Sequence, residues 1–218
     1  MCRLIVSILV CISTLLVTAP LLAQDLTIMP VGDSLTVGLQ GGYRKPLFEN
    51  LKEHGFILKE TGSKFSSYEA YRGATVGQLN KSLLISMGKY APDIILLMVG
   101  TNDAASGRPA SMYQKRLSSL VKKVFTAYPC ISLYISEIPL IKGKEHIVRK
   151  YNKVILDVVL EYTSKYNIFL VEGAEDISFN HFSKDGVHLK PSGYKILSSL
   201  WFNVLRDTLN RDQTCLFD

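Results

Sequence analysis

From Gln24 onward, strand-like and helix-like patterns of apolar residues alternate along the chain. The run Leu26–Val31 is almost wholly apolar and predicts a buried strand. An amphipathic stretch from about Tyr43 to His54 predicts a helix, with Gly55 as its stop. Phe56–Glu60 predicts a short second strand, after which a loop rich in Gly and Ser leads to Tyr68–Tyr71. Thr75 stands in capping position before Val76, Leu79, Leu83, Leu84 and Met87, which share helical spacing. Asp93–Val99 is apolar on both faces, as a central parallel strand requires. A helix is expected over about Ser111–Tyr128, a strand over Ile131–Ile138, and a long helix over about Glu145–Tyr166. Ile168–Glu172 predicts the fifth strand, and a last helix runs from about Ser192 to Leu209.

Strands separated by helices imply right-handed crossovers and a parallel sheet covered on both faces. No internal repeat, low-complexity segment or interdomain linker interrupts the pattern, so the expectation is one three-layer α/β domain over 24–218. Ligands of such sheets bind outside the carboxyl ends of the strands. Gly32-Asp33-Ser34 follows the first strand, Gly100-Thr101-Asn102-Asp103 the third, and a loop with His181, Asp185 and His188 the fifth.

Composition changes this picture little. The 218 residues are 47% hydrophobic and 20% charged, ordinary values for a folded globular chain. The formal net charge of +6 is spread without a block of five or six cations, which gives no support to nucleic-acid binding. Residues 1–23 stand apart: Arg3 precedes a long apolar run that ends at Leu21-Leu22-Ala23. This reads as a secretory signal, with an uncleaved membrane anchor as the alternative, and the mature protein is expected outside the cytoplasm, in the periplasm or beyond the cell. Cleavage would leave Cys130 and Cys215, which either pair or remain free thiols. A bridge between them would contribute roughly 4–5 kcal/mol on the chain-entropy model, less any strain. Asn80-Lys81-Ser82 is a glycosylation sequon, of meaning only in a cell that glycosylates.

Ser34 sits on a turn that feeds a helix, where a hydroxyl can be presented at a sheet edge; a lone Gly-Asp-Ser is also an ordinary turn. A serine that cleaves esters needs a base, a group to orient the base, and donors for the oxyanion. His54 is explained by its place at a helix end, and His146 opens a helix on the opposite side of the sheet. His181 and His188 share the loop after the fifth strand, and Asp185 lies three residues before His188, close enough for a tight turn to bring carboxylate and imidazole together. A rival reading gathers Asp33, Asp103, Asp185 and His188 around a metal, but they form no compact ligand motif and leave Ser34 without a role. Tyr43, Arg44 and Lys45 read as helix-surface residues, with contact to a polysaccharide as the alternative.

Four blocks now carry a resemblance: Gly32-Asp33-Ser34-Leu35, Gly73, Gly100-Thr101-Asn102-Asp103 and Asp185-Gly186-Val187-His188. In this order, and across essentially the whole mature sequence, the chain resembles the SGNH hydrolases, also called the GDSL family of esterases and lipases. The resemblance implies a flavodoxin-like α/β/α fold with a five-stranded parallel sheet. It implies Ser34 as nucleophile and His188 as general base oriented by Asp185, with no metal or organic cofactor. The oxyanion would be held by the backbone N–H groups of Ser34 and Gly73 and by the Asn102 amide. The segments Ile28–Thr36, Gly41–Leu47 and Pro92–Leu97, with Tyr151-Asn152, are similar to carbohydrate esterase family three, whose members are acetylxylan esterases. Leu189 in place of the usual Pro, and Tyr71-Arg72-Gly73-Ala74 in the second block, depart from that group. The expectation is therefore a secreted serine esterase that removes acyl groups, acetyl first among them, from carbohydrate esters such as acetylated xylan. A lysophospholipase-type lipase of the same fold and a non-catalytic carbohydrate-binding protein are the alternatives.

Overall fold

Six parallel strands form one sheet in the computed structural model, which describes residues 26–65 and 67–209. They are β1 (Leu26–Gly32), β2 (Leu58–Glu60), β3 (Glu69–Ala70), β4 (Ile94–Met98), β5 (Ser132–Ser136) and β6 (Ile168–Val171). The helices are α1 (Ser34–Val37), α2 (Arg44–Glu53), α3 (Val76–Tyr90), α4 (Thr101–Ala105), α5 (Ala110–Ala127), α6 (Glu145–Tyr162) and α7 (Pro191–Leu209). The strand order is β2-β1-β4-β5-β6, with β3 paired to β1 as well. Two short strands share that edge of β1: β2 pairs with Leu26–Ile28 and β3 with Val31–Gly32. The strand β3 is the one addition to the five expected from the hydrophobic pattern.

The chain leaves β1 toward β2 on one side and later crosses to β4 on the other. Right-handed crossovers in opposite directions put helices on opposite faces. Accordingly α2 packs against α7, while α3, α5 and α6 pack in a row. Every residue of β4 is buried, the reason its sequence is apolar on both faces. Tyr43 stacks on Trp201 at 5.6 Å in one helical layer, and Tyr113 on Tyr151 at 4.3 Å in the other.

This topology puts the switch in strand order at β1 and β4, and in such sheets the crevice outside their carboxyl ends binds ligands. Gly32 closes β1. A Cβ there would lie 2.3 Å from the Met98 carbonyl oxygen and 2.3 Å from Thr36 Oγ1, so no larger residue fits beneath the turn. Cys130 is disulfide-bonded; Cys215, the partner the sequence offers, lies outside the described residues, as does the apolar segment 1–23. No helix among the described residues is long and apolar enough to cross a membrane.

Candidate active site

Ser34 is the first residue of α1, one short helical turn on the end of β1. Asp33 caps it: its Oδ1 accepts the Leu35 N–H at 2.9 Å, and the carboxyl is fully buried. The other end of the turn is held by Arg44, whose Nε donates to the Thr36 carbonyl at 2.8 Å and whose Nη2 lies 3.4 Å from the Val37 carbonyl. The guanidinium lies over the Tyr68 ring at 3.9 Å and meets Glu60 at 3.4 Å. Arg44 is only 8% exposed and Tyr43 not at all, so neither is the surface residue that its place on an amphipathic stretch suggests. Lys45 alone of the three is exposed.

His188 reaches this turn from the loop after β6. The loop is closed on itself: Phe182 and Leu189 pair in an antiparallel bridge, the Ser183 N–H donates to the His188 carbonyl at 2.7 Å, and the Lys190 N–H to the His181 carbonyl at 2.8 Å. Leu189 is buried, which accounts for an apolar residue beside the histidine. Within the turn, Asp185 Oδ1 accepts the N–H groups of Val187 and His188 at 2.9 and 3.0 Å, while Oδ2 lies 2.7 Å from His188 Nδ1. A carboxylate only accepts, so Nδ1 carries the proton and Nε2 is left as acceptor. His188 Nε2 lies 2.9 Å from Ser34 Oγ.

Two bonds tie the turn after β4 to the loop after β3. The Asn102 amide donates one proton to the Ala74 carbonyl at 2.9 Å, which aims its second N–H. Asp103, fully buried, accepts the Val76 N–H at 2.9 Å at the start of α3. The sequence showed Asp103 as the last residue of the Gly100-Thr101-Asn102-Asp103 block and as a hypothetical metal ligand, but gave no sign of its tie to Val76. Gly73, at φ +78, lies in the loop so held, in backbone geometry that favours glycine. The Thr75 cap is completed from the far side, where Gln78 Oε1 accepts the Thr75 N–H at 2.8 Å and its hydroxyl at 2.9 Å.

The three acids of the region differ in charge behaviour. Burial pushes the Asp33 carboxyl up to about 6, against the pull of the Leu35 N–H and, at longer range, of His188. Burial also raises Asp103, opposed by the Val76 N–H and by Arg108 and Arg116. At Asp185 burial is the largest single influence and pushes the carboxyl up, but the His188 hydrogen bond, the two backbone donors and the nearby imidazole charge together outweigh it and take the carboxyl down to about 2. Asp185 is thus an anion over the whole neutral range.

Of the other histidines, His181 Nδ1 lies 2.9 Å from Ser192 Oγ and His54 Nδ1 2.8 Å from the Asn50 carbonyl, at the end of α2. Among the described residues no three His, Cys, Asp or Glu side chains converge as a metal site. The carboxylates of the metal reading are spent elsewhere, Asp33 on Leu35 and Asp103 on Val76.

Residues 31–196 match the model of the GDSL-like lipase/acylhydrolase family. The chain is 29% identical to a multidomain esterase of Ruminococcus flavefaciens over 90% of its own length, and it spans 31% of that protein. A family 3 carbohydrate esterase of Clostridium thermocellum superposes with a TM-score of 0.75 at 28% identity, covering 85% of this chain and 98% of the other. The fold of a carbohydrate esterase family 3 protein from Talaromyces cellulolyticus agrees at a TM-score of 0.77, with 18% identity and 84% and 97% coverage.

Proposed function

Because the chain belongs to the GDSL-like lipase/acylhydrolase family, we propose that it is a serine esterase that removes acetyl groups from carbohydrate esters such as acetylated xylan. The observation that carries the reading is the unbroken hydrogen-bonded chain from Asp185 through His188 to Ser34, with the Asn102 amide and Gly73 on the same sheet edge. In this mechanism His188 Nε2 takes the Ser34 proton as Oγ attacks the ester carbonyl. Backbone N–H groups of Ser34 and Gly73 and the free amide proton of Asn102 meet the oxyanion. The imidazolium, stabilised by Asp185, returns the proton to the departing sugar hydroxyl. Water deprotonated by the same imidazole then attacks the acetyl-enzyme, acetate leaves, and Ser34 regains its proton. Nothing in these steps calls for a metal or organic cofactor.

The carbohydrate part of the proposal draws on the Clostridium thermocellum esterase, whose 28% identity to this chain exceeds the 18% of the Talaromyces cellulolyticus protein. Export is part of it as well, supported by the apolar segment 1–23 and by the disulfide at Cys130, a bond typical of oxidising compartments. The test is acetate release from acetylated xylan, beside short- and long-chain nitrophenyl esters, by the wild type and by Ser34→Ala. Release of acetate with short-chain preference, lost about 10^6-fold in the variant, is expected. Long-chain preference without acetate release would move the assignment to a lipid substrate, and equal turnover by the variant would remove Ser34 from the mechanism.

A further inference from the structure

A groove of about 790 Å³ opens from Gly73, in the loop after β3, and Asn102, on α4, and runs outward between α3 and α5. Its walls carry four cations: Lys81 on α3, Arg108 after α4, and Arg116 and Lys123 on α5. The remaining lining is polar, with the Gln78 and Asn80 amides and the Thr75, Ser106 and Ser119 hydroxyls. The one carboxylate beside the cations is Asp103, whose buried Oδ1 forms ion pairs with Arg108 and Arg116 at 3.7 Å each, so one negative charge faces four positive ones and the groove keeps a net positive charge. At that distance neither guanidinium hydrogen-bonds to the carboxylate, so their N–H donors stay available. Arg108 gives one to Ser106 Oγ at 2.7 Å, and Arg116 makes no hydrogen bond through its guanidinium among the described residues. Gly77 makes room for Arg116, since a Cβ there would already stand 3.4 Å from the guanidinium carbon. Lys81 has no carboxylate partner among the described residues, while Asn80, turned inward, donates to the Arg116 carbonyl at 3.1 Å and accepts from Lys123 Nζ at 2.5 Å, a neutral partner that leaves the Lys123 charge in place.

Resting on the esterase reading, we propose that this groove holds the alcohol part of the substrate and selects a saccharide bearing an anionic group. An alkyl chain laid along it would strip water from four cations without compensation. A neutral saccharide would satisfy the amides and hydroxyls but leave the charge unanswered. A carboxylate or sulfate one or two sugar units from the acetyl ester answers both, and Arg108 and Arg116 offer the planar donor pairs that oxyanions accept.

The experiment compares kcat/KM on acetylated neutral xylan, acetylated glucuronoxylan and acetylated sulfated xylan with that on nitrophenyl acetate, at low and high salt. The expected result is a preference of about fivefold or more for an anionic xylan, shrinking in 0.5 M NaCl as charges are screened. The double variant Lys81→Glu with Lys123→Glu lowers the ratio of anionic to neutral xylan turnover by about tenfold or more, and Lys150→Glu on α6, outside the groove, leaves that ratio in place. Preference for glucuronoxylan identifies a carboxylate and preference for the sulfated polymer a sulfate. Equal turnover of all three xylans overturns the inference, as does turnover of nitrophenyl acetate alone, or faster cleavage of a lysophospholipid than of any xylan. If no ester at all is cleaved, the esterase reading itself has failed.

Discussion

The two sides of the candidate active site are built by opposite means. Ser34 stands on a single turn whose geometry is enforced from beneath and behind: by the close approach at Gly32, the buried Asp33 cap and the Arg44 side chain from another element. The Asp185–His188 pair, by contrast, sits in a loop where the two side chains are 49% and 38% exposed, and its geometry comes from contacts within a few residues. The Ser34 side borrows its order from the core, and the His188 side makes its own. A variant on the loop side should therefore cost activity with little stability, whereas variants behind Ser34 should register in both.

Asp185→Asn is the sharpest test of the loop side. The Asn carbonyl oxygen can still accept the Val187 and His188 N–H groups, so the turn survives. Its NH2 group, however, would face Nδ1 as a donor and force the imidazole into the tautomer that presents a proton to Ser34. A loss of about 10^4-fold in kcat is expected, with a melting temperature near that of the wild type. Loss of fold on this substitution would mean that the carboxylate, not the turn, holds the loop.

Beside the Ser34 turn, Asn102→Ala removes the proposed oxyanion donor and also cuts the bond to the Ala74 carbonyl. The expected cost is about 10^2- to 10^3-fold in kcat with KM little changed, together with about 1 kcal/mol of stability from the lost hydrogen bond. A KM effect alone would reassign Asn102 to substrate binding.

Arg44→Met tests how far the Ser34 turn depends on a distant side chain. It strands the Glu60 carboxylate, frees the Thr36 carbonyl and removes the cation over Tyr68. Hydrogen bonds to charged groups are worth about 1.5–3 kcal/mol each, so a loss of about 2–3 kcal/mol in chemical denaturation is expected. Adding Glu60→Leu should recover part of it, because removing both partners of a pair costs less than removing one. The activity loss should persist in the double variant if Arg44 positions α1.

How much of this was legible in the sequence follows the same division. The five longer strands and the four motif blocks carry local signals, apolar runs and short tight turns, and the blocks meet on one sheet edge. What escaped detection is held by distant partners. Two-residue β3 exists only because Val31 and Gly32 offer it a free edge, and no apolar run marks it. Arg44 reads as surface because it is charged; its burial needs Thr36, Glu60 and Tyr68, which come from three separate stretches. Asp103 joins Val76 across 27 residues, a pairing that no spacing rule predicts.

Asp33 carries the comparison to its smallest expected effect. Its carboxyl is raised from 3.8 to about 6, so between those values the folded protein holds a proton that the unfolded chain has released. Stability therefore falls as pH rises from about 4 to about 6 and stays down above it, by at most about 3 kcal/mol for such a shift. Asp185, taken down to about 2, has the opposite sign: its contribution is present above about 4 and is lost toward pH 2, and it is discounted because the group is half exposed. Asn at position 33 can keep the cap on Leu35 without the buried charge. Asp33→Asn should thus be more stable than the wild type at pH 8, by about 1–3 kcal/mol in chemical denaturation, with the gain vanishing by pH 4. A variant less stable at pH 8 would mean that the charge behind Ser34 strengthens the turn, and that the ordered side of the site owes less to burial than to electrostatics.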